Sequence, residues 1–282
     1  MEVKRRRVKT HIHALRFLVG MDNNLHRGVR MNLNLGGKRV LVTGGSRGIG
    51  KGLVLAFASE GAHVAFSYVS HEEAAWEVER EARDHGVTAK ALQADLTDPA
   101  DTTHLYEDAR TALGGLDILV NNAAVWPTAW FTDIPLEEWE TCMRVNLTAP
   151  FLLSQAMVRD LQKAARPGRI INITSQAAFL GAQSGHAHYA ASKAGLVSMT
   201  VSLAREVASC GITVNAVALG LVNTEMRGDA LEKNREGYMR RIPLGRFATS
   251  EDAAPVVLFL ASSHADYLTG ATIDATGGML MR

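Results

Sequence analysis

The sequence predicts a doubly wound α/β fold, in which a parallel sheet carries helices on both faces. Three observations predict it. From Arg39 onward, short β-branched runs alternate with longer amphipathic stretches, the order of successive βαβ units. The first of these runs leads at once into Thr43-Gly44-Gly45-Ser46-Arg47-Gly48-Ile49-Gly50, a glycine-rich turn of the kind that folds a strand sharply into a helix. No linker rich in Pro, Ser or Gly interrupts residues 36–282, so one domain is expected, spanning 31–282.

Val40-Leu41-Val42 is the first strand, and Gly48 to Ser59 the first helix. Val64 to Ser67 makes a second strand, His71 to Asp84 a charged helix, and Ala89 to Ala94 a third strand ending at Asp95. Thr97-Asp98-Pro99 then supplies a capping residue and a first-turn proline for the next helix. Leu116 to Val120 is a fourth strand, closed by Asn121-Asn122-Ala123-Ala124, and one long helical region is expected from Leu136 to Gln162. Arg169 to Ile173 forms the fifth strand, with Ser175 beyond it. Tyr189 to Ser209 reads as a helix and Thr213 to Ala218 as the sixth strand. After an irregular polar stretch from Asn223 to Arg246 come a helix from Glu251 to Leu260 and a last strand near Ile273.

Composition narrows the classes of function. In 282 residues, 47% hydrophobic and 21% charged side chains suit a soluble globular protein and exclude disorder of the body. Cys142 and Cys210 have no spacing for a disulfide framework or a metal site, so they read as reduced thiols in a cytoplasmic protein without a metal. No apolar run reaches the roughly 18–20 residues that cross a bilayer. Residues 1–30 hold eight Lys and Arg against Glu2 and Asp22, a local charge of +6; with a total of +1, the remainder carries −5. An acidic body argues against nucleic-acid binding. The basic leader is expected to lie outside the fold, because Met31 opens the segment that leads into the first strand.

The glycine turn predicts a dinucleotide site. Gly44 permits the tight turn, Gly48 lets backbone approach a pyrophosphate, and Gly50 lets the helix pack against the sheet. The helix N-terminus offers unpaired N–H groups to phosphate. Ser67-Tyr68-Val69-Ser70 carries no acid for a ribose 2′-hydroxyl, and Arg47 in the turn could pair with a 2′-phosphate. NADP(H) is therefore expected rather than NAD(H). Asp95 stands where an adenine amino group could be met, or where it caps a turn.

Reduction of a carbonyl needs a hydride and a proton donor. A phenol with an ordinary pKa of about 10 serves near neutrality only where positive charge favours phenolate. Tyr189 and Lys193 lie one helical turn apart and meet this need. Ser175 can hold the carbonyl, and Asn146 is a poor helix former in mid-helix, which suggests a role. His186 and His188 lack a third ligand or carboxylate at metal spacing, and are expected to line or cover the substrate pocket without acting in catalysis.

These motifs, Thr43-Gly44-x-x-x-Gly48-x-Gly50, Asn121-Asn122-Ala123, Asn146, Ser175 and Tyr189-x-x-x-Lys193, make residues 36–282 resemble the short-chain dehydrogenase/reductase family. The resemblance implies a Rossmann-type sheet of seven parallel strands and a catalytic tetrad of Asn146, Ser175, Tyr189 and Lys193. In it Tyr189 gives the proton, Lys193 also binds the nicotinamide ribose, and Asn146 holds a water linking Lys193 to solvent. The cofactor set it implies is Gly44, Ser46, Arg47, Gly48, Ile49, Gly50, Ser67, Tyr68, Asp95, Leu96, Asn122, Ala123, Ala124, Tyr189, Lys193, Gly220, Val222 and Thr224. It also implies a homotetramer packed through the helix around Ala149 to Lys163 and the Tyr189 helix. Within the family, Arg241 to Arg246 and Leu203 to Glu206 look like bacterial 3-oxoacyl-acyl-carrier-protein reductases of fatty acid biosynthesis. Arg166 then falls where a basic residue meets the acidic carrier protein, while Cys210 replaces a second. The substrate implied is a ketone, as a small carbonyl compound or a 3-oxoacyl thioester on acyl carrier protein. A general carbonyl reductase, an alcohol or sugar dehydrogenase of the same family, and a non-catalytic dinucleotide sensor stay open as alternatives.

Overall fold

A computed structural model describes residues 32–182, 185–223 and 235–281, and Leu33–Arg282 forms one compact unit. The elements in chain order are β1 (Arg39–Val42), α1 (Gly48–Ser59), β2 (His63–Tyr68), α2 (Glu72–Arg83), β3 (Ala89–Gln93), α3 (Pro99–Leu113) and β4 (Ile118–Asn121). There follow α4 (Leu136–Met143), α5 (Ala149–Lys163), β5 (Gly168–Ser175), α6 (Ala177–Leu180), α7 (Ala187–Val207) and β6 (Ile212–Leu219). The described chain closes with α8 (Arg235–Met239), α9 (Ser250–Ala261) and β7 (Thr272–Ala275). The seven strands lie in the order β3-β2-β1-β4-β5-β6-β7, and every neighbouring pair is parallel. The order reverses between β1 and β4, so a crevice opens at the carboxyl ends of those strands.

Alternation along each strand feeds two cores. Val40 and Val42 of β1 face one side, with Leu53 and Phe57 of α1, Val78 of α2 and Val257 of α9. Leu41 faces the other, with Leu105 of α3, Leu153 and Met157 of α5 and Val207 of α7. Each such side chain contributes roughly 1.5–3 kcal/mol by leaving water. Some buried polar side chains pair across strands. Asn121 Nδ2 donates to Asn172 Oδ1 at 2.8 Å, and Asn172 Nδ2 donates to Thr200 Oγ1 at 2.9 Å, tying β4, β5 and α7 together.

The single helix expected from Leu136 to Gln162 is broken. Between α4 and α5, Arg144–Thr148 forms one π-helical turn, in which the Ala149 N–H donates to the Arg144 carbonyl five residues back. Pro150 supplies the reason, since it has no N–H for the carbonyl four residues before it, that of Asn146. Asn146 in turn uses its side chain on a neighbouring segment: Oδ1 accepts from the Val125 N–H at 2.8 Å, and Nδ2 donates to the Val125 carbonyl at 3.0 Å. Leu219, the last residue of β6, stays in register with Ala275 and accepts from the Gln176 N–H at 3.0 Å.

Candidate active site

At the crevice the chain builds a cavity of about 500 Å³ that runs from the glycine turn to the start of α7. Gly44 has φ +69°, a left-handed conformation that favours glycine, and Gly50 is packed so closely that a Cβ would lie 1.9 Å from the Gly44 carbonyl oxygen. Strand ends hold this turn in place. The Ser67 hydroxyl accepts from the Gly44 N–H at 3.0 Å, and the Thr43 hydroxyl accepts from the Asn122 and Ala123 N–H groups, both at 2.9 Å. Asn122 Nδ2 returns a bond to the Thr43 carbonyl at 2.8 Å. Ser67 and Asn122 therefore line the cavity while spending these groups on the scaffold. Helix α1 starts there with no side chain capping it and no acid in its first turn, so its dipole and N–H groups are open to an anion.

Of the sequence-predicted cofactor residues, Gly44, Ser46, Arg47, Gly48, Ile49, Gly50, Ser67, Tyr68, Asp95, Leu96, Asn122, Ala123, Ala124, Gly220 and Val222 all line this cavity, together with Tyr189 and Lys193. Thr224 lies outside the described residues. Asp95 caps its turn, since Oδ1 accepts from the Thr97 N–H at 2.9 Å and the Thr97 hydroxyl at 2.8 Å, and the residue borders the cavity. Sequence reasoning missed Val69, Ser70 and His71, which continue β2 around the rim, and Val125, Val145 and Thr174 deeper in. Beyond β2 a carboxylate is the sequence signal for a bound ribose, and the hydroxyl and imidazole that stand there instead carry no such signal. An extended groove, a bare helix N-terminus and an exposed arginine beside it fit a dinucleotide with its phosphates on α1.

At the far end stand the residues with acid–base chemistry. Tyr189 is half-buried in the first turn of α7, and Lys193 is buried one turn later, its Nζ donating to the Ile173 carbonyl at 2.9 Å and lying 5.8 Å from the Tyr189 ring centre. Burial pulls the Lys193 ammonium from 10.5 down to about 8. Ser175 ends β5 on the same cavity, and its Oγ accepts from the Ala177 N–H at 3.2 Å. Asn146 is fully buried behind the cavity, with Nδ2 donating to Ser192 Oγ at 3.1 Å, and Ser192 Oγ donating to the Tyr189 carbonyl at 2.8 Å. Cys142 Sγ sits 3.4 Å from the same Asn146 nitrogen, and burial pushes that thiol up, so it rests protonated.

Neither His186 nor His188 lines this cavity; both are buried beside it, contrary to the expectation that they cover the pocket. Arg166 is engaged as well. Its Nη1 meets Asp117 Oδ1 at 2.9 Å, next to Arg39 Nη2 at 2.6 Å on the same oxygen. Burial raises the Asp117 pKa, but hydrogen bonds and charge from Arg39 overcome this and hold it below the usual carboxylate range. Cys210 is exposed. No group of His, Cys, Asp and Glu among the described residues could hold a metal, and no helix among them is long and apolar enough to cross a membrane.

Comparison with known proteins shows what the whole chain is similar to. The sequence model of a family described as enoyl-(acyl carrier protein) reductase matches residues 44–280. The chain is similar to the 3-oxoacyl-[acyl-carrier-protein] reductase FabG of Aquifex aeolicus, 40% identical over 249 residues, covering 88% of this chain and 100% of the relative. It is 41% identical to FabG of Escherichia coli K12 over 250 residues, with 88% and 100% covered. Among solved structures it resembles a blue fluorescent protein from a metagenomic library in complex with NADPH, at TM-score 0.82 and 38% identity, covering 88% of this chain and 100% of that one. A short-chain type dehydrogenase/reductase from Mycobacterium marinum superimposes at TM-score 0.83 with 34% identity, covering 89% and 98%.

Proposed function

Because the chain belongs to the short-chain dehydrogenase/reductase family, we propose that it is an NADPH-dependent oxidoreductase that reduces the ketone of a 3-oxoacyl thioester to a secondary alcohol. The observation that carries this reading is the convergence of Ser175, Tyr189 and Lys193 on the end of a cavity that begins at the glycine turn. Similarity over the full length of two acyl-carrier-protein ketoreductases supports the substrate class.

When bound, the nicotinamide supplies the hydride that reaches the carbonyl carbon. The residues do the rest. The Ser175 hydroxyl donates to the carbonyl oxygen and holds it in line with the phenol. Tyr189 Oη gives its proton to that oxygen as negative charge develops there, leaving a hydroxyl on substrate and a phenolate on Tyr189. Lys193, one turn away and buried, favours the phenolate by its charge and keeps that charge in a low-dielectric place, where it acts most strongly. Asn146 fixes Val125 on the cavity wall and, through Ser192, the backbone of Tyr189.

Arg47, exposed at the α1 N-terminus, is the cation we assign to the 2′-phosphate, with Ser70 on the same rim. The engagement of Arg166 with Asp117, and Cys210 in place of a second base, favour a second reading in which the thioester is not presented by a carrier protein. NADPH oxidation with acetoacetyl-coenzyme A, acetoacetyl-acyl carrier protein, crotonyl-coenzyme A and simple ketones separates these. Turnover of acetoacetyl thioesters with NADPH preferred supports the proposal, and a lower KM for the carrier-bound form supports docking. Turnover of crotonyl thioester alone would mean reduction of a C=C bond, and turnover of simple ketones alone a general carbonyl reductase.

A further inference from the structure

The proton donor Tyr189 sits in the least secured part of any helix. The first turn of a helix has N–H groups without intrahelical acceptors, and where no side chain caps it, it opens most readily. Helix α7 has no such cap: His186 occupies the N-cap position without a side-chain capping bond, and the first turn contains no acid. Yet a phenol misplaced by about 1 Å can cost roughly 100-fold in rate.

Two buried side chains just before Tyr189 take the place of a cap. His186 is 8% exposed; its ring stacks on Trp126 with centres 3.9 Å apart and planes at 19°, and its Nδ1–H donates to the Pro127 carbonyl at 2.7 Å. His188 is fully buried, and its Nε2–H donates to Glu138 Oε1 of α4 at 3.2 Å. His186 at the N-cap and His188 in the first turn reach different partners, the Trp126–Pro127 segment and α4, and Tyr189 follows them in the same turn. Both anchors end in the neighbourhood of Asn146. Trp126 and Pro127 directly follow Val125, which Asn146 grips on both backbone atoms, and α4 runs straight into the π turn that contains Asn146.

We propose that His186 and His188 are positioning residues that lock the first turn of α7, and with it Tyr189, to the Val125–Pro127 segment and to α4. Neither lines the cavity, so both are assigned a positioning role and no proton transfer. The inference rests on Tyr189 being the proton donor for its effect on turnover, and not for its effect on the helix.

The test uses His188→Leu, which removes the donor; His188→Gln, whose amide N–H falls near the position of Nε2; and Glu138→Leu, which removes the acceptor from the partly exposed end. Amide hydrogen exchange of the peptide spanning residues 186–191 and NADPH-dependent reduction of acetoacetyl-coenzyme A are both measured. In His188→Leu and Glu138→Leu, exchange in the first turn is expected to rise about 10-fold. Turnover is expected to fall about 10-fold or more, with the KM for NADPH within about twofold of wild type. His188→Gln restores both readouts to within about threefold, and the double variant His188→Leu/Glu138→Leu is no worse than the single ones. Unchanged exchange in both single variants overturns the proposal, as does loss of NADPH binding in step with turnover. If His188→Leu does not fold, Glu138→Leu reads the same contact. A wild-type chain inactive on every carbonyl tried would count against the functional reading, while the exchange comparison would still decide this one.

Discussion

Lys193 should make this protein less stable at neutral pH than it would be without that charge. Its ammonium is buried and its pKa drops from 10.5 to about 8, with burial as the cause. At about 1.36 kcal/mol per pH unit, the difference is about 3 kcal/mol between the two ends of the titration. The sign follows from proton counting. Between pH 8 and 10.5 the unfolded chain still holds the proton that the native one has released, so stability rises with pH across that window. Below pH 8 both forms are charged, and the native state carries the full penalty. Replacing Lys193 with Met removes the titrating group, so the stability of Lys193→Met relative to wild type should decline by about 3 kcal/mol between pH 7 and 10.5. For a chain of this size that is a relative shift of about 6–12 °C in Tm. Denaturant unfolding of both proteins at pH 7, 8.5 and 10 measures it, with turnover followed alongside and lost in the variant at every pH. A stability difference that is flat with pH would refute burial as the force on Lys193.

Three further outcomes are expected. Tyr189→Phe should lower kcat by about 100- to 10,000-fold while NADPH binding, followed by cofactor fluorescence, stays near wild type; full turnover would remove it as the acid. Arg47→Ala should raise the KM for NADPH by about 10- to 100-fold, the worth of a charged hydrogen bond, with little change for NADH. Equal changes for both cofactors would show that Arg47 does not read the 2′-phosphate. Gly50→Ala must open the turn, because its Cβ would fall 1.9 Å from the Gly44 carbonyl oxygen, so stability by denaturant unfolding should drop by about 1–3 kcal/mol and cofactor binding should weaken. A variant with wild-type affinity would contradict that packing.

The inner strands were legible as short apolar, β-branched runs buried on both faces, and most helices as the longer amphipathic stretches between them. The first helix runs from Gly48 to Ser59 as expected, and the other predicted boundaries move by a few residues. The π turn was half legible: Asn146 looked out of place in a helix, but the cause sits four residues later in Pro150, whose missing N–H matters only once the ladder is traced. The short helix Ala177–Leu180 has too few residues to show any period. At the site, residues of the glycine turn and of the Tyr-x-x-x-Lys motif come to line one cavity, as local turns and helix spacing allow. Side chains whose task depends on distant partners were not legible in this way. His186 and His188 were expected over the pocket because they adjoin Tyr189 in sequence, whereas Trp126 and Glu138, dozens of residues away, draw them inward. Arg166, which the sequence offers to a partner, is held by Asp117, 49 residues earlier in the chain.

The bare N-terminus of α1 also bears on how this chain can change. In the proposed binding mode the groups it turns toward the phosphates are main-chain amides, which most side-chain substitutions leave in place, so outside the tightly packed glycines of the turn the grip on a dinucleotide as such is hard to lose by point mutation. In that same proposed mode the choice between the two nicotinamide dinucleotides falls to a thin layer of side chains on the rim, where Arg47 and Ser70 stand. Affinity and preference are thus written in separate materials. A lineage, or an engineer, can rewrite the second through one or two codons without having to rebuild the first.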